Sequence, residues 1–300
     1  MHGNGVMKRV AANDVYEGGW FLGVRNGTGT CHSLNFGTLY SGGWLAGKWH
    51  GHGELVEPEG VYTGEFVDGR IQGYGEYLYN TGYTYKGDWF NGIFEGAGIL
   101  LCPDGSRYEG QWVNGHESGR GTMSYFNGDV YTGEWRYGRK HGTGIYTAAM
   151  LKYDGEWFNG VPHGCGECVY ADDSVYKGSW AKGMYHGHGM FSSKGKKRWY
   201  KGEFCYGKRC GKGVYFSEEV EYSGEWLNDQ KHGVGEIKTR AGGVYYGNWE
   251  NDVPHGDGVY VLNSERITVT YDRGRCVSPI SEEFSRVLSA QLRAATNVSV

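Results

Sequence analysis

Proline is nearly absent, at 5 of 300 residues, and glycine, although it reaches 55, follows no three-residue period. Collagen is thereby excluded, because its triple helix needs glycine at every third position and abundant proline. Long apolar runs are missing as well. No window approaches the ~18 apolar residues of a membrane span, and the opening MHGNGVMKRV holds no stretch of signal-peptide length, so a soluble, intracellular protein is expected. Charge of one sign is also lacking. A formal net charge of −4 gives no broad attraction to nucleic acid or to anionic lipid. Leu, Ile and Val are sparse, so the aliphatic core of an ordinary domain is not available. Cysteine is present at seven positions, Cys31, Cys102, Cys165, Cys168, Cys205, Cys210 and Cys276, an odd number at irregular spacing that suits reduced thiols better than a disulfide framework. The sequons at Asn26 and Asn297 are read as accidental in that setting.

Aromatics are what the chain does have, at 16 % of residues, which argues against disorder and makes them the candidate core. They recur in register. A Tyr-x-Gly-x-aromatic core begins at Tyr16, Tyr40, Tyr62, Tyr85, Tyr108, Tyr131, Tyr153, Tyr176, Tyr200, Tyr222 and Tyr245, at steps of 22 to 24 residues. The closing aromatics are Trp20, Trp44, Phe66, Trp89, Trp112, Trp135, Trp157, Trp180, Phe204, Trp226 and Trp249. A Gly-x-Gly follows every core, from Gly27/Gly29 to Gly256/Gly258, and an earlier Gly3/Gly5 opens the chain in mid-repeat. The segment GRKHGTG at residues 138–144, which superficially resembles a phosphate loop, is therefore one unit of a series. It also lacks the Gly-Lys-Ser/Thr that a phosphate loop requires.

Each unit reads as two short strands. Alternation places Tyr131, Gly133 and Trp135 on one face, with Thr132 and Glu134 on the other. Asn91-Gly92, Asn114-Gly115 and Asn159-Gly160 follow cores as hairpin turns, whereas Pro103-Asp104-Gly105, Asn127-Gly128 and Glu59-Gly60 precede them. Glycine between Tyr and Trp leaves room for a neighbouring ring to lie flat. Asn228-Asp229 and Asn251-Asp252 stand in for Asn-Gly with a modest weakening of the turn, and residues 259–262 and 267–271 form an atypical last hairpin.

This pattern resembles the MORN (membrane occupation and recognition nexus) repeat family over roughly residues 1 to 275. The resemblance implies an all-β, elongated and twisted single-sheet array of stacked antiparallel hairpins, with a groove lined by aromatics. Two strands per repeat at ~4.8 Å each predict a rod on the order of 100 Å long. Residues 276–300 change character: Ser278-Pro279 caps a short amphipathic helix in which Ile280, Phe284, Val287, Leu288 and Leu292 share a face. That helix covers the open sheet edge, or docks on a partner or second copy.

Other motifs yield no catalytic or cofactor site. Cys165 and Cys168, three apart on a strand, face opposite sides, and Cys205 and Cys210 flank a turn about two repeats away, so neither a metal nor a disulfide is expected at either pair. His2, His50, His141, His163, His186, His232 and His255 precede Gly-x-Gly, with equivalent atoms ~10 Å apart; they support turns and pack on rings, with a metal bridging two molecules as the alternative. The basic run of Lys194, Lys196, Lys197 and Arg198 is a solvated loop, or else a contact for an acidic protein, a tubulin tail or a phosphoinositide. Glu65, Glu134, Glu156 and Glu225 sit opposite the aromatics as exposed positions, so no enzyme, metal or cofactor is expected.

The resemblance implies a non-catalytic scaffold, similar to radial-spoke-head and protist cytoskeletal MORN proteins. Axonemal or other cytoskeletal proteins, a second MORN protein or a second copy would be its partners, and nucleic acid would not. Peripheral phosphoinositide binding is the alternative, disfavoured by the acidic net charge.

Overall fold

The computed structural model describes residues 2–9, 14–33, 35–281 and 286, and among them nearly all regular structure is β. The strands fall into two compact units, Met1–Ala148 and Ala149–Val300. The first holds β1 (Gly3–Arg9), β2 (Asp14–Phe21), β3 (Val24–Ser33), β4 (Thr38–Leu45), β5 (Lys48–Glu57), β6 (Gly60–Val67), β7 (Arg70–Tyr79), β8 (Thr84–Phe90), β9 (Ile93–Leu101), β10 (Arg107–Val113), β11 (His116–Ser124), β12 (Val130–Arg136) and β13 (Arg139–Thr147). The second holds β14 (Leu151–Phe158), β15 (Val161–Tyr170), β16 (Val175–Ala181), β17 (Met184–Ser192), β18 (Trp199–Cys205), β19 (Lys208–Phe216), β20 (Val220–Leu227), β21 (Gln230–Thr239), β22 (Val244–Glu250), β23 (Val253–Leu262), β24 (Glu265–Asp272) and β25 (Arg275–Cys276). Within each unit every strand pairs antiparallel with the next, as a meander of hairpins.

The turns follow from residue type. Asn91 and Gly92 both take positive φ, 50° and 79°, the mirror-image turn whose twist matches the flanking strands. Asn228-Asp229 and Asn251-Asp252 adopt the same conformation without glycine. The loops before the cores are closed by side chains: Asp104, Asn127 and Asp172 each accept the amide two residues on. At Glu59-Gly60 the turn sits one residue earlier than the sequence suggests, on Pro58-Glu59, and Gly60 already begins β6.

The core is built from rings lying on glycine. Gly133 pairs with Gly144 across β12 and β13, and the hydroxyl of Tyr131 passes over that pair to donate to the Glu134 carbonyl at 2.9 Å. A Cβ on Gly144 would lie 2.4 Å from that hydroxyl. The ring filling the gap is thus the repeat's own tyrosine, not a neighbour's, because the side chain leans along its own strand. The indole Nε1 of Trp135 then donates to the Gly121 carbonyl of the preceding repeat at 3.2 Å, and Trp135 meets Tyr108 edge-on at 5.2 Å. Phe66 and Phe204 keep the edge-on contact with Tyr40 and Tyr176 but have no N–H to offer. At the last hairpin Tyr271 takes the tryptophan's place against Tyr245.

The expected C-terminal helix is not shown. Phe284, Val287, Leu288 and Leu292 lie outside the described residues, and Ile280 is half-buried and not helical.

Candidate interaction surface

The two faces of the sheet differ in what they leave available. On the inner face the tyrosines of the cores are at most 2 % exposed and the tryptophans at most 7 %, so the aromatics do not line an open groove. Burial pushes the Tyr40 phenol up to about 12 and raises the others of the series, which therefore stay neutral and act as packing groups.

What closes this face is a position that sequence reading passed over, two residues before the first glycine of each Gly-x-Gly and paired with the core tryptophan. Phe94 and Tyr185 stack on Tyr85 and Tyr176 at 3.7 Å, and Trp49 stacks on Tyr40 at 4.8 Å. In other hairpins a cation takes the place, Arg25 over Trp44 at 4.9 Å, Lys140 over Tyr131 at 5.2 Å and Arg209 over Trp226 at 4.3 Å, while Ile71, Glu117, Pro162 and Pro254 stand there in four more. Lys231 is wholly buried, 5.6 Å from both Tyr222 and Trp249, and burial pushes its ammonium down to about 8 against the opposing pull of Asp252. The only sequence signal for this position was its fixed offset from the glycines, hidden by variation in residue type.

The acidic residues opposite the aromatics also do more than meet solvent. The first glycine of Gly-x-Gly takes positive φ, 56° at Gly142, and shifts the register between Gly133 and Glu134. Glu134 accepts the amide of Thr143 at 3.1 Å; Glu156, Glu203 and Asp88 do the same for Cys165, Lys212 and Ala97. The Thr143 amide, freed by the bulge, and the Thr143 hydroxyl hold the Glu134 carboxyl below the usual carboxylate range.

Two sequence readings of cysteine divide. Cys165 is exposed and Cys168 buried, on opposite sides as their spacing predicts. Cys205 and Cys210, expected to be free, are joined in a disulfide. The Tyr206-Gly207 turn brings their Cα atoms to 5.8 Å, within bridging range, where the equivalent Phe158 and His163 make a ring contact at 5.6 Å. Within the histidine ladder His2, His163 and His186 pack on rings, His186 against Tyr206 at 4.7 Å, and no group of metal-ligating side chains occurs among the described residues. In the basic loop, Lys194 pairs with Asp173 at 2.7 Å and Lys197 with Glu218 at 3.9 Å, which leaves less positive charge than the run suggests.

The open surface is the outer face. In the second unit it carries a groove of about 1070 Å³ whose floor is the backbone of Gly189, Gly202, Gly213 and Gly224, with Lys177, Lys196, Lys201 and Lys212 around it. A smaller groove of about 640 Å³ in the first unit is lined by Glu17, Thr28, Thr30 and Ser41, among others, and carries no lysine.

Comparison with protein families finds the MORN repeat at residues 16–36, 40–60, 62–82, 85–107, 108–130, 131–150, 153–175, 176–197, 200–218, 222–244 and 245–264. The chain belongs to the MORN-repeat family. MORN repeats are a non-enzymatic type that builds interaction scaffolds. No curated protein matches this MORN chain significantly. Among solved structures it is similar to the TCP domain of SAS-4 from Drosophila melanogaster, solved in complex with a proline-rich motif of Ana2, at 12 % identity over 66 % of this chain and 90 % of that one, with a TM-score of 0.25. The wild-type TCP10 domain of CPAP from Danio rerio aligns at 10 % identity over 89 % of this chain and 100 % of that one, with a TM-score of 0.21. At such scores neither likeness carries an argument about this MORN array. Among the described residues no helix is long and apolar enough to cross a membrane.

Proposed function

We propose that this MORN array is a non-catalytic scaffold of the cytoskeleton, most specifically a component of a ciliary or flagellar axoneme, which holds partner proteins along its outer face. The observation that carries this reading is the division of labour between faces. The inner face is filled by the chain's own rings and caps, while the outer face repeats every 22 to 24 residues with different side chains at each step. Such a surface suits holding several partners at fixed spacing. The carboxylates of Glu134, Glu156 and Glu203 are engaged on backbone amides. The ciliary assignment rests on resemblance to radial-spoke-head MORN proteins, which is analogy at the level of the fold. Partners are other axonemal or cytoskeletal proteins, a second MORN protein or a second copy.

Detergent extraction of cells expressing the tagged chain, followed by imaging, tests the proposal. Retention along the axoneme supports it in full, and retention at another cytoskeletal structure keeps the scaffold and discards the cilium. Release with the membrane fraction overturns it in favour of lipid binding.

A further inference from the structure

Across the outer face of the second unit, one row of side chains alternates in character at every strand. The register links Lys177 to Met190, Met190 to Lys201, Lys201 to Val214 and Val214 to Ser223. Lysine, apolar, lysine and apolar thus follow one another over β16 to β19, and all four residues line the groove. With strands ~4.8 Å apart, Lys177 and Lys201 stand on the order of 10 Å from each other. Lys212, at the next outward position on β19, and Lys196, from the loop beside β18, add two more ammonium groups, against the two carboxylates of Glu167 and Glu225.

These cations are available. Lys196, Lys201 and Lys212 have no ion-pair partner among the described residues, and Lys177 is held by the exposed Glu167 at 3.1 Å, a surface pair that exchanges at little cost. Glu225 stands opposite Lys212 in the register without an ion pair to it, and Glu203 is turned onto the Lys212 amide at 3.0 Å.

We infer that this groove binds an extended acidic protein segment whose carboxylates recur at every third residue, with small side chains between them that let its backbone pass close over Met190 and Val214. A polyproline II chain presents the same face every three residues at ~3.1 Å per residue, which sets its carboxylates ~9 Å apart, close to the lysine repeat. A β-strand presents a face every ~6.8 Å and falls out of step. A phosphorylated lipid headgroup concentrates its charge within a few Å, whereas Lys177, Lys201 and Lys212 are spread over four strands. The segment runs across the strands rather than along an edge, so side chains, not backbone pairing, read it. This inference rests on the scaffold reading above and names the chemistry of one partner.

Fluorescence polarisation on the full chain tests it, with a labelled peptide of repeated Glu-Ala-Pro and a second peptide of equal composition whose glutamates are consecutive. The spaced peptide binds at least about tenfold more tightly than the consecutive one, and raising the salt concentration weakens it. The double substitution Lys177→Glu/Lys201→Glu lowers that affinity by at least about tenfold with the unfolding midpoint unchanged, while Lys86→Glu in the first unit leaves it intact. Equal affinity for both peptides overturns the inference. So does absence of peptide binding alongside binding to phosphoinositide vesicles that the double substitution abolishes, since the occupant is then a lipid. Cytoskeletal retention read separately keeps the two proposals distinct: a retained chain that ignores the peptide loses only this ligand, and a peptide-binding chain released with membranes loses only the scaffold.

Discussion

In the hairpin β8–β9, Phe94 lies flat on Tyr85 at 3.7 Å; at the equivalent place in β20–β21 stands Lys231, wholly buried, with its ammonium 5.6 Å from the rings of Tyr222 and Trp249. The frames around them are the same. Tyr85 and Tyr222 each donate to the carbonyl three residues on at 3.0 Å, and Trp112 and Trp249 each donate back to a glycine carbonyl at 3.3 Å. The first hairpin gains dispersion and burial from its cap. The second meets the cost of a buried charge with two ring faces and a carboxylate, since Asp252 lies 3.6 Å from the ammonium and also accepts the Lys231 amide at 2.9 Å. The repeat frame therefore tolerates opposite chemistries at one position as long as the tyrosine is covered.

Removing what the hairpins share has the largest effect. Trp112→Ala and Trp249→Ala each destabilise their own and adjacent repeats by about 3–5 kcal/mol, read as faster hydrogen exchange confined to those strands. Adding a methyl beneath the ring comes next: Gly98→Ala and Gly235→Ala place a Cβ 2.3 Å from a tyrosine hydroxyl in both hairpins, and cost about 3 kcal/mol by urea unfolding. The caps then separate the two. Phe94→Ala costs about 2 kcal/mol, whereas Lys231→Met, which keeps volume and removes the charge, is neutral or stabilising by about 1 kcal/mol in the same assay. A clear loss on Lys231→Met would show that the charge itself holds the second hairpin.

A pH dependence follows as well, and it belongs to the second hairpin alone. Lys231 sits near 8 in the folded chain and near 10.5 when unfolded, so between those values the unfolded chain binds more protons and stability rises with pH. Above pH 10 the tyrosines work in the opposite sense, because burial raises them in the folded state. From about pH 8 to pH 10 the urea midpoint of the wild-type chain should therefore rise relative to that of Lys231→Met.

Much of the fold was legible because the period is set by the tyrosine and glycines of each unit, which recur unchanged in all eleven repeats. The Tyr-x-Gly-x-Trp alternation located the buried face, and Asn-Gly located the turns. What escaped depends on register. Gly142 inserts a bulge that steps β13 against β12 and presents an amide to Glu134, and alternation alone reads that glutamate as merely exposed. The cap escaped because rings such as Phe94, cations such as Lys140 and residues such as Ile71 and Pro162 share the place without sharing chemistry. The Cys205–Cys210 bond escaped because an odd, irregular cysteine count says nothing about two strands meeting across one turn. The lysine row of the groove lies on four successive strands and is contiguous only once their pairing is known.

Hydroxyl-radical footprinting of the chain in isolated detergent-insoluble cytoskeleton, set against the purified chain, tests most directly the claim that the inner face is architecture and the outer face holds partners. The account predicts protection at outer-row residues such as Met190 and Val214, with the core tyrosines and tryptophans equally shielded in both samples. New protection or exposure at Trp135, Trp180 and Trp226, with the outer row unchanged, would contradict it.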